Sequence, residues 1–353
     1  MLARTRTLKD GSIWTGYYYN GKAADGTRKE TPLGTDLTEA KRRWAELDCK
    51  PVPVEAGTLE VVFAKYEREV IPTKAARTQI DNADQLARLR SVFANAPIDA
   101  VTPQHIARYR DARMTKARTL KDGTVQPARR ATVAANRELA LLGHIFNKAR
   151  EWGYTSKTNP CAGVSKNKET PRDFYADDEV WQAVRAVAVQ ELRDAMDLAY
   201  LTGQRPADVL KITWQSITDE ALLVRQGKTK KFLRILFETA GERNQLGLLL
   251  DQIKARKVRG IHPLMTSGGL RLNKHTLRVR FETARLIAAA NARATGNAPL
   301  AERIEEFQFR DSRPKATSEI ELLSDASALL GHSNEQITKT VYRRVGQKVK
   351  PTR

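Results

Sequence analysis

The stretch FRDSRPKATSEIELLSDASALLGHSNEQITKTVYRR, residues 309 to 344, decides how the rest of the chain is read. It opens with Arg310 and Arg313, passes an apolar helix-like run ending at Gly331-His332, and closes on Tyr342 with two further arginines. Each piece alone is ordinary: a basic helix start, a helix stopped by glycine, a surface tyrosine. Upstream, LLVRQGKTKKFLRILF (222 to 237) reads as a hairpin whose turn presents Lys228. Further back, LTGQRPADVLKI (201 to 212) sets Arg205 behind a Thr-Gly turn, with Pro206 suited to an early helical position and Asp208 three residues after the arginine. Alone, these too are a charged turn and a helix start with a surface arginine.

Moving outward, DDEVWQAVRAVAVQELRDAMDLAYLT (177 to 202) has helical periodicity, and the polar, turn-rich CAGVSKNKETPRD (161 to 173) marks a boundary. Between residues 57 and 153 four segments carry an apolar face at helical spacing: TLEVVFAKYEREVI, IDNADQLARLRSVFA, TPQHIARYRDARM and ATVAANRELALLGHIFNKAREWG. A bundle of about four helices is expected, with Pro103 at the first position of the third. Residues 1 to 35 read as strands. SIWTGYYYN ends at Asn20-Gly21, a hairpin signal, and Asp25-Gly26 and Leu33-Gly34 mark further turns. TDLTEAKRRWAELD then opens with Asp36 and carries Glu39 three residues on, an N-capping pattern. VPVEAG, near Pro51 and Pro53, reads as a linker. The hexapeptide RTLKDG occurs at 6 to 11 and 118 to 123, as two uses of one hairpin turn rather than a domain repeat.

The 353 residues contain 61 Lys and Arg against 41 Asp and Glu, a net charge of +20, and the pI is near 10.0. The excess is spread: 10 basic and 8 acidic side chains in residues 1 to 55, 18 and 10 in 56 to 165, 33 and 23 in 166 to 353. A folded basic surface favours a polyanionic partner, nucleic acid first. Between residues 108 and 137, Arg108, Arg110, Arg113, Lys116, Arg118, Lys121, Arg129, Arg130 and Arg137 face only Asp111 and Asp122, an imbalance that points to phosphate contact. Mean hydropathy is −0.52 and no apolar run approaches a bilayer span, so a membrane-surface role is disfavoured. Cys49 and Cys161 are too few and too distant for a cysteine zinc site, and the first residues lack an apolar signal core, so a reducing cytoplasm is expected. No P-loop, no GxSxG and no His/Cys cluster is present, which disfavours nucleotide hydrolysis, acyl transfer and zinc chemistry. His105, His144 and His262 have no metal-ligand companion, and Tyr17, Tyr18 and Tyr19 suit sheet packing.

Arg205, Lys228, the FRDSR box with Arg313, Gly331-His332 and Tyr342 resemble, in order and separation, the active-site boxes of the tyrosine recombinases, the phage integrase family. The resemblance implies a multidomain α+β chain: a small N-terminal arm-type DNA-binding β domain (1 to 55), a helical core-binding domain (56 to 165), and a mostly α catalytic domain with a small antiparallel sheet (170 to 353). It also implies recombination through a 3′-phosphotyrosyl link formed by Tyr342, as in the integration of a phage or prophage. Arg205 and Arg313 would grip the phosphate, Lys228 would protonate the 5′ oxygen, His332 would bond the phosphate or assist proton transfer, and Asp208 would orient neighbours. The chemistry calls for no cofactor, since a nucleophile, an acid and fixed cations suffice. Implied partners are double-stranded attachment-site DNA, a homotetramer on synapsed DNA, a host DNA-bending protein and an excision factor, in the bacterial cytoplasm at the nucleoid.

Two features depart from the family pattern. Arg310 stands where a histidine is usual, and arginine cannot act as a base, so it must bind phosphate or favour the phenolate. His332 and Tyr342 are ten residues apart, one more than usual, so the nucleophile's helix is expected to begin a residue later. His275-Thr276-Leu277-Arg278 matches the usual box by letter but lies 64 residues before Tyr342 and reads as an ordinary helix. A catalytically impaired DNA-binding relic is the alternative that Arg310 leaves open; a housekeeping dimer resolvase is disfavoured by the N-terminal strands.

Overall fold

The computed structural model describes residues 2–8, 10–22, 27–48, 57–119, 123–256 and 260–346. The chain divides into two compact units, residues 1–170 and 171–353.

In the first unit, β1 (Leu2–Thr7), β2 (Ile13–Lys22) and β3 (Arg28–Gly34) form an antiparallel sheet in that order. The first RTLKDG joins β1 to β2, with Gly11 in the left-handed region at φ 83°. Contrary to the expectation, Asn20-Gly21 makes no turn. Both residues stay in β2, opposite Glu30 and Lys29, and the ladder runs on to Lys22 opposite Arg28. Continuing the ladder pairs more backbone groups than turning early would; the alternative turn at Asp25-Gly26 lies outside the described residues. Helix α1 (Leu37–Asp48) starts as its sequence suggests, Asp36 Oδ1 accepting the Glu39 N–H at 2.7 Å.

The four expected helices are α2 (Leu59–Glu69), α3 (Ala76–Phe93), α4 (Pro103–Ala112) and α5 (Thr132–Glu151). Their apolar faces bury Phe63, Tyr66, Leu86, Leu89, Ile106, Leu142 and Ile145 in one core. Pro103 takes the first helical position behind Thr102. The second RTLKDG begins with the short strand β4 (Arg118–Thr119) and ends at Gly123, φ 84°, ahead of β5 (Val125–Gln126); its residues 120–122 lie outside the described residues.

This unit revises one group of basic residues. Arg113 is half-buried and forks onto Glu138 at 2.9 and 3.0 Å, and Tyr109 donates to the same carboxylate at 2.7 Å. Glu138 is 1% exposed, so the arginine neutralises a buried charge and its donors are taken. Arg110 is likewise engaged by Asp111 and Ser165. Arg108, Lys116, Arg118, Arg129, Arg130 and Arg137 are exposed. Among these, Arg118 bonds Gln126, Arg130 reaches Asp111 and Arg137 reaches Glu169. Lys121 lies outside the described residues.

The second unit packs α6 (Asp178–Val187), α7 (Gln190–Thr202) and the short α8 (Pro206–Val209) before the hairpin β6 (Ala221–Arg225) and β7 (Phe232–Leu236). Next come the two-residue strands β8 (Glu238–Thr239) and β9 (Glu242–Arg243), then α9 (Gln245–Ala255), α10 (Lys274–Ala294) and α11 (Ala298–Glu306). Helices α12 (Ser312–Glu319), α13 (Leu323–Leu330) and α14 (Glu335–Ile337) close the chain, followed by a π-helical turn, Thr338–Tyr342. Phe281, Phe307, Trp181, Leu198 and Leu222 belong to its core. His275 is an exposed residue of α10, as its helical reading implied.

Candidate active site

Two helices end in left-handed glycines whose neighbours are site residues. Gly203, at φ 62°, caps α7, and Gly331, at φ 66°, caps α13. These stops turn the chain sharply, so that Arg205 sits at the N-cap of α8 and His332 leaves α13 toward the same place. A Cβ on Gly331 would stand 3.1 Å from Gln226 Nε2, so both conformation and space call for glycine there.

Arg313, on α12, is 3% exposed. Its Nη1 donates to the Gly203 carbonyl at 2.6 Å, and its Nη2 to the Leu330 carbonyl at 3.0 Å and to His332 Nε2 at 3.3 Å. Its guanidinium carbon lies 5.1 Å from the centroid of the Tyr342 ring. Arg313 was expected to grip phosphate, but both its Nη groups are engaged within the protein and the Nε–H is the buried donor without a partner. Arg205 Nη1 is also buried and unpartnered. Burial, then the Arg205 charge, pushes the Arg313 pKa down to about 10, which leaves it charged at neutral pH.

His332 Nδ1 lies 2.8 Å from the Thr338 hydroxyl, and its ring centroid is 5.0 Å from that of Tyr342. With Nε2 accepting from Arg313, the proton is assigned to Nδ1. Burial, then Arg313, Arg205 and Lys231, lowers the His332 pKa to about 4, so the imidazole is neutral at pH 7.

Tyr342 ends the π-helical turn. Between His332 and Tyr342, α14 starts at Glu335 and the next turn is π-helical, a geometry that holds one residue more than an α turn. Beyond the tyrosine, the Arg344 N–H donates to Ser318 Oγ at 2.7 Å, which fastens the segment to α12.

A cleft of about 400 Å³ joins Arg313 to Tyr342, and His332 is not among its lining residues. Arg205, Arg310, Arg313 and Tyr342 line it, together with Arg172 and Arg344. The last two were missed in the sequence. Arg172 sits in the turn-rich boundary segment and is held by Asp311 through Nε at 3.0 Å and Nη2 at 2.8 Å, whereas Arg344 follows the tyrosine and reaches Asp173 at 3.1 Å. Asp311, inside the FRDSR box, was the available signal for a buried cation partner. Arg310 is exposed. Lys228 is also exposed, in the turn between β6 and β7, and does not line this cleft. That turn is rooted by Asp208, 5% exposed, whose Oδ1 accepts the Gly227 N–H at 2.8 Å. Asp208 therefore acts on the hairpin.

The arrangement gathers positive charge and unpartnered N–H donors around a phenol, which suits a phosphate oxyanion. No family model matches the chain. It is 25% identical to the integrase of Escherichia phage lambda over 271 residues, 71% of each protein, and 26% identical to that of Enterobacteria phage 434 over 272 residues, again 71% of each. A lambda integrase tetramer bound to a Holliday junction shares the fold with a TM-score of 0.65 at 20% identity, covering 99% of this chain and 97% of that one. A lambda integrase dimer bound to a core site gives 0.64 at 21% identity, over 99% and 97%. Its boxes in order, its similarity to these integrases and the fold it shares with them support a lambda-type tyrosine recombinase.

Proposed function

We propose that this protein is the integrase of a phage or prophage, exchanging DNA strands between the element's attachment site and a chromosomal one. The observation that carries the reading is the convergence of Tyr342 with two buried, unpartnered guanidinium donors, Arg205 Nη1 and Arg313 Nε, on one cleft.

In this reading a scissile phosphate takes one N–H from each arginine on its non-bridging oxygens, with the exposed Arg310 adding positive charge beside it, while Arg172 and Arg344 are paired with Asp311 and Asp173. The Tyr342 oxygen attacks phosphorus, the O–P bond to tyrosine forms as the P–O5′ bond breaks, and the departing 5′ oxygen takes a proton from Lys228. The phenolic proton leaves to water, or to His332 Nε2 once that nitrogen gives up its bond from Arg313, since Arg310 cannot accept it. The 5′-hydroxyl of a partner strand reverses these bonds, so the phosphotyrosyl link conserves the energy of the one it replaced.

The remaining assignments belong to the same proposal. Residues 1 to 55 engage arm sites, 56 to 165 the core site, and 170 to 353 carry out the chemistry. Four copies act on two synapsed duplexes, with a host DNA-bending protein and an excision factor as accessories, in the bacterial cytoplasm. Among the described residues no helix is long and apolar enough to cross a membrane.

The test is denaturant-resistant linkage to supercoiled DNA carrying the element's own flanks. Wild type is expected to form an adduct at a mappable 3′ end and Tyr342→Phe to form none. Binding without any adduct, with partner sites supplied, would favour a DNA-binding relic.

A further inference from the structure

Gln226 stands at the root of the turn that carries Lys228, and it is 0% exposed. Its Nε2 donates to Gln204 Oε1 at 2.8 Å and to the Leu330 carbonyl at 2.9 Å. Gln204 directly precedes Arg205, and the Leu330 carbonyl is the one that Arg313 Nη2 also uses, at 3.0 Å. Gln226 Oε1 accepts the hydroxyl of Thr229, the residue after Lys228. The backbone of Gln226 closes the turn as well, its N–H donating to the Lys231 carbonyl at 2.9 Å and its carbonyl accepting from the Lys230 N–H at 3.0 Å. Every polar atom of this side chain is thus bonded, to the turn on one side and to the backing of both phosphate-gripping arginines on the other.

We propose that Gln226 is a positioning residue for the leaving-group acid: it registers the Lys228 turn against Arg205 and Arg313 through Gln204 and the shared Leu330 carbonyl. The proposal rests on the reading of Lys228 as that acid. An exposed lysine on a two-stranded hairpin has wide reach, and its ammonium must meet one oxygen of a phosphate held by the arginines. A fully bonded amide linking the turn to that floor narrows the reach. Asp208 anchors the same turn through the next residue, Gly227.

The experiment compares full-length wild type, Lys228→Ala, Gln226→Leu and the double variant Gln204→Leu/Gln226→Leu on duplexes spanning the cleavage site mapped by the Tyr342 adduct. Each duplex carries either oxygen or sulfur at the bridging 5′ position; a sulfur leaving group needs no acid. Gln226→Leu alone strands the acceptor Gln204 Oε1, and the double variant removes that group while taking a donor from the Thr202 and Leu329 carbonyls, so circular dichroism and DNA affinity are read for each variant as the check on folding. Expected results are about ten- to a hundredfold slower cleavage of the oxygen duplex by both glutamine variants, near-wild-type cleavage of the sulfur duplex, and unchanged DNA affinity. Full activity of Gln226→Leu on oxygen, or an equal loss on oxygen and sulfur while Lys228→Ala is rescued by sulfur, would overturn the proposal for Gln226 alone. Failure of sulfur to rescue Lys228→Ala would instead remove Lys228 as the acid, and the proposal with it.

Discussion

At the scale of single residues, His332 offers a reading free of DNA. Its folded pKa of about 4 lies below its ordinary 6.5, so between those values the unfolded chain holds more protons than the folded one. Stability contributed by the neutral ring is therefore present above about pH 6.5 and is lost as pH falls toward 4. An NMR titration is expected to show the imidazole still neutral at pH 5.5, and Arg205→Ala is expected to shift its midpoint upward; an unchanged midpoint would separate Arg205 from the histidine. Arg310 can be tested directly: Arg310→His is expected to preserve or raise cleavage if the position serves proton acceptance, and collapse of cleavage with binding intact would assign its charge to the phosphate. Arg205, Arg313, His332 and Tyr342 were legible as candidates through their order and spacing. Arg172 and Arg344 were not, because the bonds that bring them to the cleft join residues far apart in the chain or depend on the turn after the nucleophile.

At the scale of elements, α12 is held by a polar anchor that periodicity does not reveal. Lys315 is 1% exposed and bonds Asp178 and Glu319, each at 2.6 Å, with the rings of Tyr175, Trp181 and Tyr200 within 5.5 to 5.9 Å. Lys315→Met is expected to cost about 2 kcal/mol in chemical denaturation, because Glu319 is left without its cation while part of its solvation is lost. Gly331→Ala is expected to cost about 1–2 kcal/mol from its left-handed backbone alone, and to slow cleavage because the new methyl presses on Gln226. Apolar periodicity was enough to find α2 to α5, whose apolar faces share one core. It was not enough at Asn20-Gly21, where a local turn preference met the pairing of a longer strand.

At the scale of the whole molecule, the +20 charge states a preference for polyanions without saying which cations serve it. The paired and exposed arginines of the first unit make different predictions. Arg129→Ala, at an exposed position, is expected to reduce the salt dependence of DNA binding by about one phosphate contact. Arg113→Ala should leave that slope unchanged and lower stability instead, because Glu138 would be stranded in the core. Equal slopes for wild type and Arg129→Ala would remove that residue from the phosphate-contacting surface. Segment charge counts could not make this distinction, since Glu138 lies just beyond the basic run it neutralises.

The widened turn before Tyr342 also bears on how the gene can change. A π turn holds one residue more than an α turn over the same rise, so the segment contains a spare codon. Loss of a single codon among 339 to 341 would let the turn tighten to ordinary α geometry while the phenol kept its place. Insertion of a further codon would have no such outlet. Libraries of single-codon deletions and insertions across 333 to 341 should therefore be asymmetric, with active recombinases surviving mainly among the shortened chains.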